Sequence, residues 1–146
     1  GVACRLLEEP LLLAGGGATQ IALARHLRRF AERFAGREQL AIEAFADALE
    51  IIPRTLAQNA GLDPLDSLLQ TVAKQSTDGS DRAHRIGLNV ERKVPSDMVV
   101  DGVVEPLRIT RQVLAGATEA ALSVLRIDDV LWAKQDPTVP ELPEED

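Results

Sequence analysis

Apolar residues recur every three or four positions through most of this chain, the period of an α-helix packed on one side. From Ala18 to Ala35 they are Leu23, Leu27, Phe30 and Phe34, with Arg25, Arg28, Arg29 and Arg33 between them, and Gly36 makes a C-terminal cap. A second helix fits Glu38 to Ile52, with Leu40, Ala44, Ala48 and Ile51 in line. Pro53 suits the first position of a third helix, where a missing N–H costs nothing, and Asn59 and Gly61 would close it. Asp63-Pro64 reads as N-cap and first residue of a fourth helix, through about Val72. The last and longest helix is predicted from Pro106 to about Leu125, with Leu107, Leu114, Ala117, Ala121 and Val124 along one stripe. Its small residues, among them Ala115, Gly116 and Ala120, suit close helix approach.

The remaining segments break that period. Gly1 to Glu9 reads as the last turns of a helix that Pro10 ends, and the apolar stretch Leu11 to Ala14 runs into Gly15-Gly16-Gly17. Gln75 to Arg82 is polar and predicts an exposed loop, while Ile86 to Val90 and Val94 predict a short hairpin. From Lys134 the chain is rich in proline and ends Glu144-Glu145-Asp146, a composition that predicts disorder. The fold class expected is therefore mainly α, a helix bundle with a small β hairpin.

Composition narrows the function. Aromatic residues are only 3% against 45% hydrophobic, which favours Ala/Leu helix packing over an all-β core. A net charge of −7 argues against a nucleic-acid binder, whose affinity would rest on phosphate contacts. No apolar run approaches the length of a membrane helix, and the lone Cys4 permits no disulfide within the chain, so a cytoplasmic setting is expected.

Few residues offer chemistry by themselves. Gly15 to Gly17 precede a helix, so their N–H groups and the helix N-terminus can face an anion, and glycine would let a phosphate or sugar approach the main chain. Bare, the same motif is more often a tight turn. Glu105, before Pro106, is either a charge complementing a helix dipole or an acceptor for a ligand. Asp128-Asp129 point in different directions on a helix and make a poor metal site, and His26 and His84 have no ligand spacing. The arginines of the first full helix read as a solvated face or a subunit contact.

Five local sequences carry more. They are Ala14-Gly15-Gly16-Gly17-Ala18-Thr19, the run from Glu38 to Leu49, the run from Ile52 to Asp63, Gly102-Val103-Val104-Glu105-Pro106-Leu107-Arg108, and Leu125-Arg126-Ile127-Asp128-Asp129-Val130. In this order, over most of residues 2–131, they resemble the group II chaperonins, the archaeal thermosome and its eukaryotic cytosolic relatives. The resemblance implies a helix end of the intermediate domain in residues 1–10, the carboxy-terminal part of the equatorial ATP-binding domain in 11–131, and a disordered acidic tail in 132–146. It makes the fold the incomplete half of an equatorial domain. Gly16 and Gly17 match the family's nucleotide-contacting glycines, Glu105 the carboxylate that accepts from the ribose hydroxyls, and Gly87, Leu88 and Asn89 the adenine pocket. Family members carry an aromatic and a further glycine after that point, where this chain has Glu91-Arg92-Lys93.

The cofactors implied are ATP and Mg2+. The metal ligand, the phosphate loop and the water-orienting aspartate are expected in the family's preceding segments, so no catalytic or metal-binding residue is assigned here. The implied partners are other subunits of a double ring, identical or not, and unfolded protein substrates, with no nucleic acid and no membrane. A stand-alone helical scaffold without ATP hydrolysis is the alternative. The whole subunit would be an ATPase. The 146-residue chain by itself is expected to release no phosphate from magnesium ATP above the buffer rate. Steady release that follows the protein through a second purification step would contradict this.

Overall fold

The computed structural model describes residues 11–134, so the expected helix end in 1–10, Cys4, and the tail over 135–146 lie outside the described residues. The chain divides into two compact units, one ending at Leu107 and the other beginning at Arg108. In the first, strand β1 (Leu12–Ala14) enters helix α1 (Ala18–Ala31) through a glycine turn, followed by α2 (Arg37–Asn59) and α3 (Pro64–Thr77). A 3-10 turn (Ala83–Arg85) precedes β2 (Ile86–Asn89) and β3 (Val94–Asp97), and β4 (Val104–Pro106) comes last. The expected hairpin is present, with Gly87 opposite Ser96 and Leu88 opposite Pro95. A second sheet, which no local pattern announces, pairs β1 antiparallel with β4, Leu13 opposite Glu105. The described residues are mainly helical with small antiparallel pairs, the fold class expected.

Helices α1 and α2 pack along their small residues. The buried positions of α1 are Ala18, Gln20, Ile21, Ala24 and Ala31, whereas Phe30 of the expected stripe is exposed. On α2 the buried positions are Ala46, Leu49, Glu50, Pro53 and Ala57. The expected stripe of Leu40, Ala44, Ala48 and Ile51 is exposed, Leu40 by 65%. Alanines let helix axes approach until backbone and Cβ atoms cover one another, which moves bulkier residues to the flanks. Arg28, on the buried side of α1 between Ala24 and Ala31, donates to both Glu50 and Asp47 and closes the seam. α1 stops at Ala31, four residues early, in a turn where Phe34 N–H donates to Ala31 O at 3.0 Å and the Phe30 and Phe34 rings meet edge to face.

Pro53 does not start a helix, contrary to the sequence expectation: α2 runs through it as one element of 23 residues. A proline inside a helix costs about 3 kcal/mol through a lost hydrogen bond and a steric clash. The buried positions nonetheless keep helical spacing across it, so breaking the helix would expose a continuous stripe. Pro53 itself lies against the glycine turn, where a Cβ added to Gly17 would stand 2.6 Å from Pro53 Cβ. α2 then closes as expected near Gly61, which has φ 75. Leu62 N–H donates to Ala57 O at 2.9 Å and Gly61 N–H to Gln58 O at 3.0 Å, the paired bonds of a Schellman cap.

Asp63 caps α3 by accepting from Asp66 N–H at 2.9 Å, with Pro64 as first residue. The helix continues to Thr77, beyond the predicted end at Val72, with Ser76 and Thr77 turning their hydroxyls onto the carbonyls of Val72 and Ala73. Gln75 is therefore no loop residue. It is 1% exposed, and the loop shrinks to residues 78–82. In the second unit, α4 (Leu107–Lys134) also outruns its predicted end, and Ala117, Ala121 and Val124 of its expected stripe are exposed. Among the described residues no helix is long and apolar enough to cross a membrane.

The glycine turn holds the first unit together. Gly16 and Gly17 have φ 63 and 77, left-handed values that cost other residues energy. Leu88 N–H donates to Gly16 O at 2.9 Å, and Gly15 N–H to Val103 O at 2.9 Å. A Cβ on Gly16 would meet Met98 Sδ at 2.5 Å and Leu88 O at 2.7 Å; one on Gly87 would meet Gly15 O at 2.7 Å. Gly16→Val is expected to destabilise this unit by about 2–5 kcal/mol, from left-handed strain plus overpacking. Chemical denaturation measures it against Gly79→Ala, where an added Cβ meets nothing within 4 Å. Equal stability of Gly16→Val and the parent would show that the turn tolerates the side chain.

Candidate functional site

A cavity of about 250 Å3 opens where the glycine turn meets β2. Its apolar walls are Leu56, Leu88, Val90 and Val103. Its polar lining is Gly16, Asn89, Glu91 and Asp101. Three of the six residues singled out from the sequence, Gly16, Leu88 and Asn89, thus share one cavity. The unbroken α2 supplies Leu56, one turn beyond Pro53. Apolar walls with a polar rim suit a flat, partly polar ring held largely by van der Waals contact.

The other three residues are placed differently. Gly17 is the N-cap of α1 and packs on Pro53, and Gly87 packs under the turn. In all three sequence-singled glycines the space a Cβ would take is filled by the protein itself. Close approach of protein to protein is by itself enough to require glycine at these positions. Glu105 stands on β4, not on a helix, and is half-buried. Gln20, buried in the first turn of α1, donates its Nε2 to Glu105 Oε1 at 3.5 Å, and Gln20 Oε1 has no protein hydrogen-bond partner. α1 brings no acidic side chain of its own in its first turn, and a helix N-terminus favours negative charge.

The hairpin tip carries Glu91, Arg92 and Lys93. Lys93 takes φ 59, the only positive value outside glycine among the described residues. Asn89 makes this possible, its Oδ1 accepting from the N–H groups of Glu91 at 3.1 Å and Arg92 at 2.9 Å. Its Nδ2 donates to Asp101 Oδ2 at 2.9 Å, and Ser96 and Arg92 also donate to that carboxylate. The side chain of Asn89 is thus committed to closing the loop, and Glu91 is exposed at the cavity mouth.

Reading the sequence residue by residue misses Leu56, Met98, Asp101, Gln20 and Gln75. A signal existed for Gln75, which follows the buried Leu68 and Thr71 at helical spacing. None existed for Asp101, whose partners are scattered over residues 89–96. The arginine stripe is not one surface, since Arg28 is paired with acids of α2 and Arg25 donates to Gln75 Oε1 at 3.3 Å. A second, open cavity of about 450 Å3 is lined by His26, Arg29, Phe30 and Arg33. Among the described residues no group of three or more His, Cys, Asp and Glu could hold a metal.

Asp101 gives the site an acid limit. The hydrogen bond from Ser96, then that from Asn89, with Arg92 adding to them, lowers its pKa to about 2. A carboxyl with a depressed folded value stabilises the fold above its unfolded value of about 3.9 and loses that contribution as pH falls toward the folded one. The stability advantage of the parent over Asp101→Asn is expected to be constant above about pH 5 and to shrink between about pH 4 and 2. Denaturant titrations at several pH values measure it, and an advantage independent of pH would remove Asp101 from this role.

Known proteins resemble the chain over nearly its whole length. The profile of the TCP-1/cpn60 chaperonin family matches residues 1–135. A thermosome subunit of Methanopyrus kandleri is 56% identical over 135 residues, 92% of this chain and 24% of that protein. Thermosome subunit 1 of Haloferax volcanii is 52% identical over 133 residues, 91% of this chain and 23% of that protein. The open-state monomer of a group II chaperonin from Methanococcoides burtonii superposes with a TM-score of 0.73 at 40% identity, covering 79% of this chain and 28% of that one. The chain thus spans about a quarter of the length of the curated relatives it matches. By the profile match over residues 1–135 and identities of about half to these subunits, the chain belongs to the TCP-1/cpn60 chaperonin family, as a group II chaperonin segment.

Proposed function

We propose that this segment forms the carboxy-terminal part of the equatorial ATP-binding domain of a group II chaperonin subunit, with residues 11–131 in that domain. Such a subunit would use ATP to enclose and refold unfolded proteins inside a cytoplasmic double ring built with other subunits. The observation that carries the reading is the cavity where Gly16 meets Leu88 and Asn89. Its apolar walls fit an adenine base, and the α1 N-terminus beside it suits negative charge. A stand-alone scaffold is not favoured, because the similarity to chaperonin subunits runs through residues 1–135.

The chemistry of the residues present fits part of the nucleotide. Gly16, Leu88 and Asn89 would hold the base through backbone and apolar contact, with Gly17 and Gly87 keeping turn and strand in register. The Glu105 carboxylate would accept from the ribose hydroxyls, held by Gln20. A bound nucleotide supplies the phosphoanhydride bond to be cleaved. This segment would contribute binding, and the ligands for Mg2+ would come from elsewhere in the subunit.

Glu105→Ala in a full-length subunit containing this segment tests the assignment. Loss of a charge-assisted hydrogen bond of about 1.5–3 kcal/mol lowers nucleotide affinity by about ten- to a hundredfold. Turnover at saturating ATP changes much less, because ground and transition states lose the contact alike. Isothermal titration and steady-state kinetics measure both. Unchanged ATP affinity with a lower melting temperature would leave Glu105 a structural residue only.

A further inference from the structure

Between the start of α1, just after the glycine turn, and β2 lies one side chain bonded to both. Gln75 Nε2 donates to Ala18 O at 3.0 Å and to Ile86 O at 2.7 Å. Its Oε1 accepts from Arg25 Nη1 at 3.3 Å. Ala18 directly follows Gly17, and Ile86 directly precedes Gly87. The two carbonyls held by a single amide thus lie outside the cavity lining, each two residues along the chain from a residue that lines it, Gly16 on one side and Leu88 on the other. The neighbouring Lys74 ties the same turn of α3 to β3, donating Nζ to Pro95 O at 2.9 Å.

We propose that Gln75 is a positioning residue for the nucleotide site: its amide sets the separation of the glycine turn from β2, and through it the width of the cavity. This rests on the reading of the cavity given above. The physical argument is one of donors. A primary amide nitrogen carries two N–H groups and can satisfy both carbonyls at once. At 1% exposure water does not replace them readily, so a side chain without these donors takes the side-chain partner from Ile86 O and leaves Ala18 O with its helical bond alone. The bond from Leu88 N–H to Gly16 O, 2.9 Å long, is two residues from each anchored residue and should report the loss first.

Two variants of a full-length subunit test this. Gln75→Glu keeps the shape and the acceptor facing Arg25 and places an oxygen where the two donors were. Gln75→Met keeps length and volume without any polar atom. Both are expected to speed hydrogen exchange at the Leu88 amide at least about tenfold while leaving amides in the middle of α2 unchanged, and to weaken ATP binding by about tenfold. Gln75→Glu should be the worse of the two, because its oxygen faces two carbonyl oxygens.

Equal acceleration at Leu88 and in α2 would mean that Gln75 supports global stability and no particular geometry, which overturns the proposal. Unchanged exchange at Leu88, or faster exchange with ATP affinity intact, overturns it equally. Absence of ATP binding by the unsubstituted subunit would sink the reading of the cavity and this role with it. The exchange data distinguish that result from failure of the clamp, because they need no nucleotide.

Discussion

The backbone of the glycine turn and the backbone of β2 touch without side chains between them. Leu88 N–H reaches Gly16 O at 2.9 Å, and the Cα of Gly87 lies under the turn with no room for a methyl group. Three other arrangements depend on that contact. It sets where α1 begins, it presents Leu88 and Asn89 to the cavity, and it leaves Met98 fully buried beside Ala14 and Ala18. A side chain on Gly16 or Gly87 would push the hairpin away from the helices. The same contact that lets the unit fold also shapes the proposed ligand site, so stability and binding cannot be separated at these glycines.

The helices are arranged to serve that junction. Because α2 continues through Pro53, one rigid element both backs the glycine turn with Pro53 and delivers Leu56 to the cavity wall. Two separate helices would leave those positions to a flexible joint. The proline ring takes the place a larger flexible side chain would crowd, and Gly17 gives it space.

Polar side chains here are used mostly inside the fold. Gln75 satisfies two carbonyls, Asn89 closes the hairpin and Asp101 gathers Ser96, Asn89 and Arg92. Each lies in or near the cavity without being spare for a ligand, while Glu91 remains exposed. The segment Glu91-Arg92-Lys93 makes the hairpin tip. Asn89 and Arg92 brace a lysine in the left-handed conformation that a glycine would take unaided.

How much of this was legible in the sequence follows from the range of the forces involved. Local signals were reliable: Asp63-Pro64 capped a helix, Gly61 ended one, the glycine run marked a turn, and the ordered blocks identified the family. These depend on a few neighbouring residues, whose sterics and hydrogen bonds are settled within a turn of chain. Only the tertiary structure decided which face of α1 and α2 is buried, because alanine and leucine are both apolar and the choice depends on how closely a partner helix comes. It also decided that Pro53 stays inside a helix, that Gln75 is buried and that β1 pairs with β4, some ninety residues away. In each case a contact distant in sequence outweighed a local preference worth only about 1–3 kcal/mol.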